Sequence, residues 1–347
     1  MTTIINNEHK KLNVPNLRFP EFEGEWEESK LGDVATSISS GKSKASCGNY
    51  NLYGSTGVIG KTCEAFYEGQ MLLIARVGAN AGKLQIINEK CGITDNTLIV
   101  KTERIPATYI YYYLQHFNLN RLIFGSGQPL ITGGMLKKVM IPLGNDAEQN
   151  KITNLLSLID VRIATQSKVI NRLQSLIKGI ANKSFHVARE TKPLLEFAPN
   201  ITSGNDKNGS GTIPLYGSTG IIGMVKNASQ KGNIVLVARV GTIGTVQFVN
   251  EPCGVSDNAL IIEAGDMTKY IYYFLKTYNF ARITSGTTQP LITASSLKKI
   301  AIPIFDIERS SNIVRCLSGL EKKLNIEKRY LLDMVMIKQY LLRQMFI

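Results

Sequence analysis

One phrase occurs twice in this chain, YGSTGVIG at 53–60 and YGSTGIIG at 216–223, at an offset of 163 residues. The match extends well beyond the phrase. Leu31-Gly-Asp-Val-Ala35 aligns with Leu194-Leu-Glu-Phe-Ala198, and Ile38-Ser-Ser-Gly41 with Ile201-Thr-Ser-Gly204. Ile74-Ala-Arg-Val-Gly78 aligns with Val237-Ala-Arg-Val-Gly241 at the same offset. Cys91-Gly-Ile-Thr-Asp-Asn96 then pairs with Cys253-Gly-Val-Ser-Asp-Asn258 at 162, and QPLIT at Gln128 with QPLIT at Gln289 at 161. LKKVMIP at Leu136 answers LKKIAIP at Leu297. A period this long is a duplicated domain, not a solenoid, whose repeats run roughly 20–45 residues. The 347 residues should therefore build one globule twice.

Each copy has a mixed texture. MLLIARVG and NIVLVARVG are short apolar runs ending in glycine, as buried strands do. KLQIIN and TVQFVN alternate apolar and polar residues, and NTLIV and NALII follow them. ATYIYYYLQHFN and TKYIYYFLKTYN are longer, with aromatics at helical spacing, so most of those tyrosines should be core. The fold class expected is α+β.

From Asp146 the pattern changes. Ile152, Leu156, Ile159, Ile163, Gln166, Ile170 and Leu173 follow one another in alternating steps of four and three, a coiled-coil seam that continues to Ile177 and Ile180. Its counterpart runs through Ile313, Leu317, Leu320, Leu324, Glu327, Leu331 and Met334, with Lys338 as a late break. No proline interrupts either stretch. Each helix should approach ~40 residues, or roughly 60 Å at 1.5 Å per residue. The expected division is a first globule at 1–145, a helix at 146–190, a second globule at 191–305 and a helix at 306–347. Gln166 and Glu327 are polar positions near the middle of their seams. If the helices pair antiparallel, these two should approach and set the register.

Composition narrows the function. Hydrophobic residues make up 44% of the chain, enough for real cores, and charged residues only 19%. The formal charge is nevertheless +13, from 40 Lys and Arg against 27 Asp and Glu, which suggests a polyanionic partner. The five cysteines, Cys47, Cys63, Cys91, Cys253 and Cys316, are scattered and form no CxxC, so buried free thiols in a reducing cytoplasm are expected. No leader or long apolar run suggests secretion or a membrane. SSGKS at 39–43 has the tail of a phosphate-binding loop, but Thr36 stands where that loop needs glycine. No HExxH, no GxSxG with partners and no Asp/Asn-Pro-Pro-aromatic methyltransferase motif occurs. These absences point to a binding module with no catalytic residues and no metal ligands of its own.

Taken in order, NLRFPEFEGEWEESKLGDVA at 16–35, the YGSTG phrases, ARVG, TDN or SDN, QPLIT, LKKxxIP and AEQNKI resemble the specificity subunit of Type I restriction-modification systems. One departure is IPLGNDAEQ, where the family commonly enters the helix through a Pro-rich stretch. The resemblance implies two target recognition domains, each reading half of a split sequence in double-stranded DNA. It implies an antiparallel helical spacer that docks two modification subunits, and restriction subunits in the full complex. It assigns no cofactor to this chain, S-adenosylmethionine to the modification subunits, and ATP and Mg to the restriction subunits. The alternative is a non-enzymatic scaffold whose globules bind protein.

Residues of the segments shared by both copies, with Lys42 at their edge, are candidates for holding the DNA backbone: Ser40, Gly41, Lys42, Tyr53, Gly54, Ser55, Thr56, Gly57, Arg76 and Gly78 in the first. Ser203, Gly204, Tyr216, Gly217, Ser218, Thr219, Gly220, Arg239 and Gly241 are those of the second. Equally open is that YGSTG is a turn with a packed tyrosine and that the arginines pair with Asp95 or Asp257. Base readout belongs where the copies diverge, at 42–52 against 205–215, 79–83 against 242–245, and 124–127 against 285–288. There Lys42, Lys44, Asn80, Lys83, Asn205, Lys207, Asn208 and Thr242 could contact bases or phosphates.

Overall fold

A computed structural model describes residues 13–123, 128–286 and 290–347. The chain divides into two compact units, Met1–Gln166 with Tyr330–Ile347, and Ser167–Arg329.

In the first unit the apolar run before ARVG is the strand Gln70–Ala75, buried on both faces after its first residue. It lies between Thr97–Lys101 and Leu84–Asn88 in an antiparallel four-stranded sheet completed by Ser37–Ser40. Side chains alternate along such a strand, and the two faces find different partners. Leu72 and Ile74 join Leu98, Val100 and the helix Ala107–Phe117 through Tyr109, Ile110 and Tyr113. Met71 and Leu73 join Ile99, Cys91 and Ile93. That second layer is a small sheet in which Tyr50–Gly54 pairs antiparallel with Gly57–Thr62 and parallel with Gly92–Ile93. Each fully buried aliphatic side chain contributes roughly 1.5–3 kcal/mol, so a strand covered on both sides anchors the globule.

The second unit repeats the plan strand for strand. Thr202–Ser203, Ala259–Ile262, Ile234–Ala238 and Val246–Val249 form the larger sheet. Gly220–Val225, Ile213–Gly217 and Gly254–Val255 form the smaller. The tyrosines are largely core, as their spacing predicts: Tyr109, Tyr112, Tyr113, Tyr270 and Tyr273 are buried. The Tyr109 hydroxyl donates to the Pro142 carbonyl at 2.7 Å, and that of Tyr270 to Pro303 at 2.8 Å. These bonds tie each short helix to the strand that leads into a long one.

The long helices are Asp146–His186 and Ile307–Gln344. Asn145 caps the first, its Oδ1 accepting the Glu148 amide at 2.8 Å, and Asp306 caps the second by accepting that of Arg309 at 2.6 Å. The first helix opens at Asp146 as expected and the second one residue late, at Ile307, but both close short of the expected 190 and 347. The first helix stops at His186 because Glu190–Pro193 is already paired, antiparallel, with Ala301–Ile304. The second stops at Gln344 because Met345 and Phe346 turn into the core of the first unit.

Within each unit the two helices run side by side and antiparallel. In the first unit Ile152 and Leu156 share a core with Leu342. In the second, Ile180 and Ser184 line one hollow with Asn312, Ile313 and Cys316. The seam residues from Ile152 to Leu173 and from Ile313 to Leu331 are buried or half-buried, Gln166 and Glu327 among the latter. Lys338 does not simply break the seam. Its ammonium pairs with Asp160 at 2.7 Å and lies over the Tyr112 ring, whose hydroxyl donates to the same carboxylate at 2.9 Å.

The cysteines correct one expectation. All five are free, but only Cys91 and Cys253 are buried, while Cys47, Cys63 and Cys316 are exposed. The buried pair sits at the start of the repeated CGITDN and CGVSDN segments, whereas the other three lie on loop and helix surfaces.

Candidate nucleic-acid interface

The motifs that recur along the chain converge on one segment in space. In the first unit it is 91–97, the CGITDN turn. The Ser43 amide donates to Ile93 O at 2.8 Å and that of Gly41 to Thr97 O at 3.0 Å, which fastens the SGK run. Thr94 N donates to Tyr53 O at 2.9 Å, which fastens YGSTG. Arg76 N donates to Asn96 O at 2.9 Å, and Ile131 N to Arg76 O at 2.9 Å, joining ARVG to both TDN and QPLIT. The second unit repeats the set: Asp206 to Val255, Gly204 to Ala259, Ser256 to Tyr216, Arg239 to Asn258 and Ile292 to Arg239. Buried backbone groups must be paired, and here the pairing assembles the shared motifs into one frame.

Several shared residues serve that frame directly. A Cβ on Gly41 would lie 2.3 Å from Ile93 O, and one on Gly204 2.1 Å from Val255 O, so only glycine allows the approach. Ser55-Thr56 and Ser218-Thr219 form two-residue turns, followed by Gly57 at φ +113° and Gly220 at φ +122°. Gly54 and Gly217 are buried.

Tyr53 packs against the cluster that holds Cys91 and Ile93 and donates to the Glu89 carboxylate, and Tyr216 donates to Glu251 at 2.7 Å. Desolvation, and then the carboxylate beside it, pushes each of these phenols up to about 12. Hydrogen bonds from Tyr53 and Asn51 hold Glu89 below the usual carboxylate range. The packed-tyrosine alternative therefore describes the phrase, while the arginine–aspartate one does not. Among the described residues neither Arg76 nor Arg239 forms an ion pair. Both are half-buried, with Nε enclosed and unpartnered.

The remaining candidates lie around this frame. Lys42, Lys44, Thr56, Lys83, Ser203, Asn205, Lys207, Thr219, Gly241 and Thr242 are exposed. Ser40, Ser55, Gly57, Gly78, Asn80, Ser218 and Gly220 are half-exposed. Thr242 Oγ1 donates to Ser218 O at 3.1 Å, which sets the ARVG loop beside the YGSTG turn. Asn208 is used locally, its Oδ1 accepting the Met224 amide at 2.9 Å. Residues 124–127 and 287–289, which hold most of the third divergent stretch and the second copy's Gln289, lie outside the described residues.

Sequence reasoning passed over Glu89, Glu251, Gln85 and Gln247, although all four recur at matched positions. Gln247 Nε2 donates to Gly217 O at 2.8 Å, bracing the hairpin from beneath. Among the described residues no cluster of three potential metal ligands occurs, and no helix is long and apolar enough to cross a membrane.

The model of the Type I restriction modification DNA specificity domain matches residues 23–175 and again 190–333, one match on each copy. The chain belongs to this family. A Mycoplasma genitalium protein described as a type I specificity subunit is 23% identical over 308 residues, 78% of this chain and 79% of the relative. A Haemophilus influenzae protein described as a type I restriction enzyme specificity subunit is 27% identical over 143 residues. That match spans 38% of this chain and 37% of the relative's length. The crystal structure of the S subunit of the M. genitalium Type I system superposes over 96% of this chain and 99% of its own, at TM-score 0.72 and 18% identity. At that identity the likeness establishes the shared fold of specificity subunits: mixed globules in tandem with long paired helices.

Proposed function

We propose that this chain is the DNA sequence-specificity subunit of a Type I restriction-modification complex and binds an asymmetric, bipartite target. One observation carries the reading: two globules share a backbone-wired frame while the exposed residues around that frame differ. Equal frames bind the common feature of DNA, its phosphates, and unequal loops read unequal half-sites. The family's name and the basic charge of the chain support this. The helices set the unread gap and dock two modification subunits. Their outward residues suit that role, since Leu158, Val161, Leu332, Met336, Ile337 and Tyr340 are exposed and apolar.

The chain is not an enzyme by itself, and it works in the cytoplasm. S-adenosylmethionine and adenine-N6 methyl transfer belong to the modification subunits, and ATP and Mg to restriction subunits. Methylome sequencing of cells carrying this chain with its modification partner tests the proposal. A split, adenine-methylated motif is expected, and a methylome with no new motif refutes it. The scaffold alternative makes a separate forecast, DNA affinity nearly independent of salt, whereas phosphate contacts give a steep slope.

A further inference from the structure

The frame leaves one shared feature unused. In the first hairpin Leu52 faces Gly60 and Tyr53 faces Val58, so Ile59 is an extra, bulged residue. In the second, Leu215 faces Gly223 and Tyr216 faces Ile221, so Ile222 is the bulge. Neighbours on a regular strand face opposite sides, and one usually finds cover. Here Val58 and Ile59 are 52% and 54% exposed, and Ile221 and Ile222 are 56% and 47% exposed. A single exposed aliphatic residue means little. An apolar pair held in the open at the same bulge in both copies is a recurring device, and the core does not need it, since Leu52 and Leu215 fill the buried position of each hairpin. The divergent loop lies alongside: Ser46 N donates to Lys61 O at 3.2 Å, and Gly209 N to Met224 O at 2.9 Å. The divergent loop is thereby fastened to the strand that carries the pair, and its Lys42 and Lys44 in the first copy, and Lys207 in the second, are exposed.

We infer that each hairpin enters the major groove as a two-stranded ribbon and that its bulged aliphatic pair reads thymine methyl groups. This rests on the DNA-binding reading above. The groove admits a two-stranded β-ribbon, and thymine is the base that offers it a methyl. Valine and isoleucine have no donor or acceptor, so carbon is all they can read. The exposed lysines of the divergent loop suit the phosphates on the groove's rim. Because both copies carry the pair, each half-site should hold a thymine at the position beneath the hairpin, a letter common to two otherwise unlike halves.

The test uses the full chain with its modification subunits and the target found by methylome sequencing. Thymines are replaced one at a time by deoxyuridine, which removes only the methyl. At least one replacement in each half should weaken binding by roughly fourfold, the worth of one buried carbon group. Ile59→Ala should abolish the sensitivity in one half and Ile222→Ala in the other. The wild-type series stands even if a variant folds poorly. Specific binding that ignores every deoxyuridine overturns this inference and leaves the function intact, as would a minor-groove contact. Variants that keep full sensitivity overturn it too. A complex that binds no specific DNA removes both.

Discussion

The ring of Phe346 meets that of Tyr109 edge to face, with centroids 5.5 Å apart, at the closing turn of the second long helix. Phe185, at the end of the first long helix, meets Tyr270 in the same way at 5.4 Å. The two phenylalanines are 161 residues apart, the same offset as their tyrosine partners. Each globule therefore receives one aromatic plug from the end of a long helix. Phe346→Ala should destabilise the first unit, and Phe185→Ala the second, by about 3–5 kcal/mol. Hydrogen exchange resolved by segment would check this, with protection lost around 109–114 in one variant and around 270–275 in the other.

Glu148 is fully buried and accepts Arg18 Nε at 2.8 Å, Arg18 Nη2 at 2.9 Å and Trp26 Nε1 at 3.0 Å. Arg18→Met would strand a buried carboxylate, at a cost of about 3–5 kcal/mol. The double variant Arg18→Met with Glu148→Met should recover much of that loss in urea denaturation.

Tyr53 and Tyr216 hold phenols raised above their ordinary value of 10.0 to about 12. The neutral phenol is the form the fold favours. Its stabilisation is complete below the unfolded value and is lost as the pH climbs from about 10 through about 12. Tyr53→Phe should cost about 1 kcal/mol at neutral pH, since the phenol is partly solvated. It should also flatten the alkaline loss of stability over that window. Thermal unfolding measured between pH 8 and pH 12 would show either outcome.

Lys42→Ala with Lys44→Ala should weaken DNA binding across sequences and lower the salt slope by about 0.9 for each phosphate contact removed. Exchanging residues 42–52 for 205–215 should instead alter which half-site is read. Fluorescence anisotropy over a salt series separates the two effects. An unchanged slope in the lysine variant would remove these residues from the phosphate contacts.

Lys338 and Asp160 pair at 2.7 Å beside Tyr112, and Lys276 and Glu321 pair at 2.7 Å beside Tyr272 and Tyr273. The tyrosine and the acid recur at matched positions, while the lysine comes from a different element in each unit. A double-mutant cycle on Lys338 and Asp160 should return a coupling of about 0.5–3 kcal/mol. The half-exposed Lys276–Glu321 pair should return less.

Duplication, the strand and helix content, the two long helices and the tyrosine core could all be read from sequence, because periodicity and repeat spacing are local properties of the chain. Which shared residues are frame and which are surface could not. Gly41 looks like a phosphate-binding glycine in sequence, and only the structure shows that a Cβ there would lie 2.3 Å from Ile93 O, so that packing too demands glycine. Tyr53 is only a candidate contact in sequence, and only the structure shows that Glu89, distant along the chain, takes its hydroxyl. Lys338 looks like a fault in a seam until Asp160 and Tyr112 receive it. The sequence by itself determined that one globule would be built twice and followed each time by a long amphipathic helix. The tertiary structure alone decided which side chains those globules consume and which they leave to face a partner, because burial and hydrogen bonding depend on neighbours that lie far away along the chain.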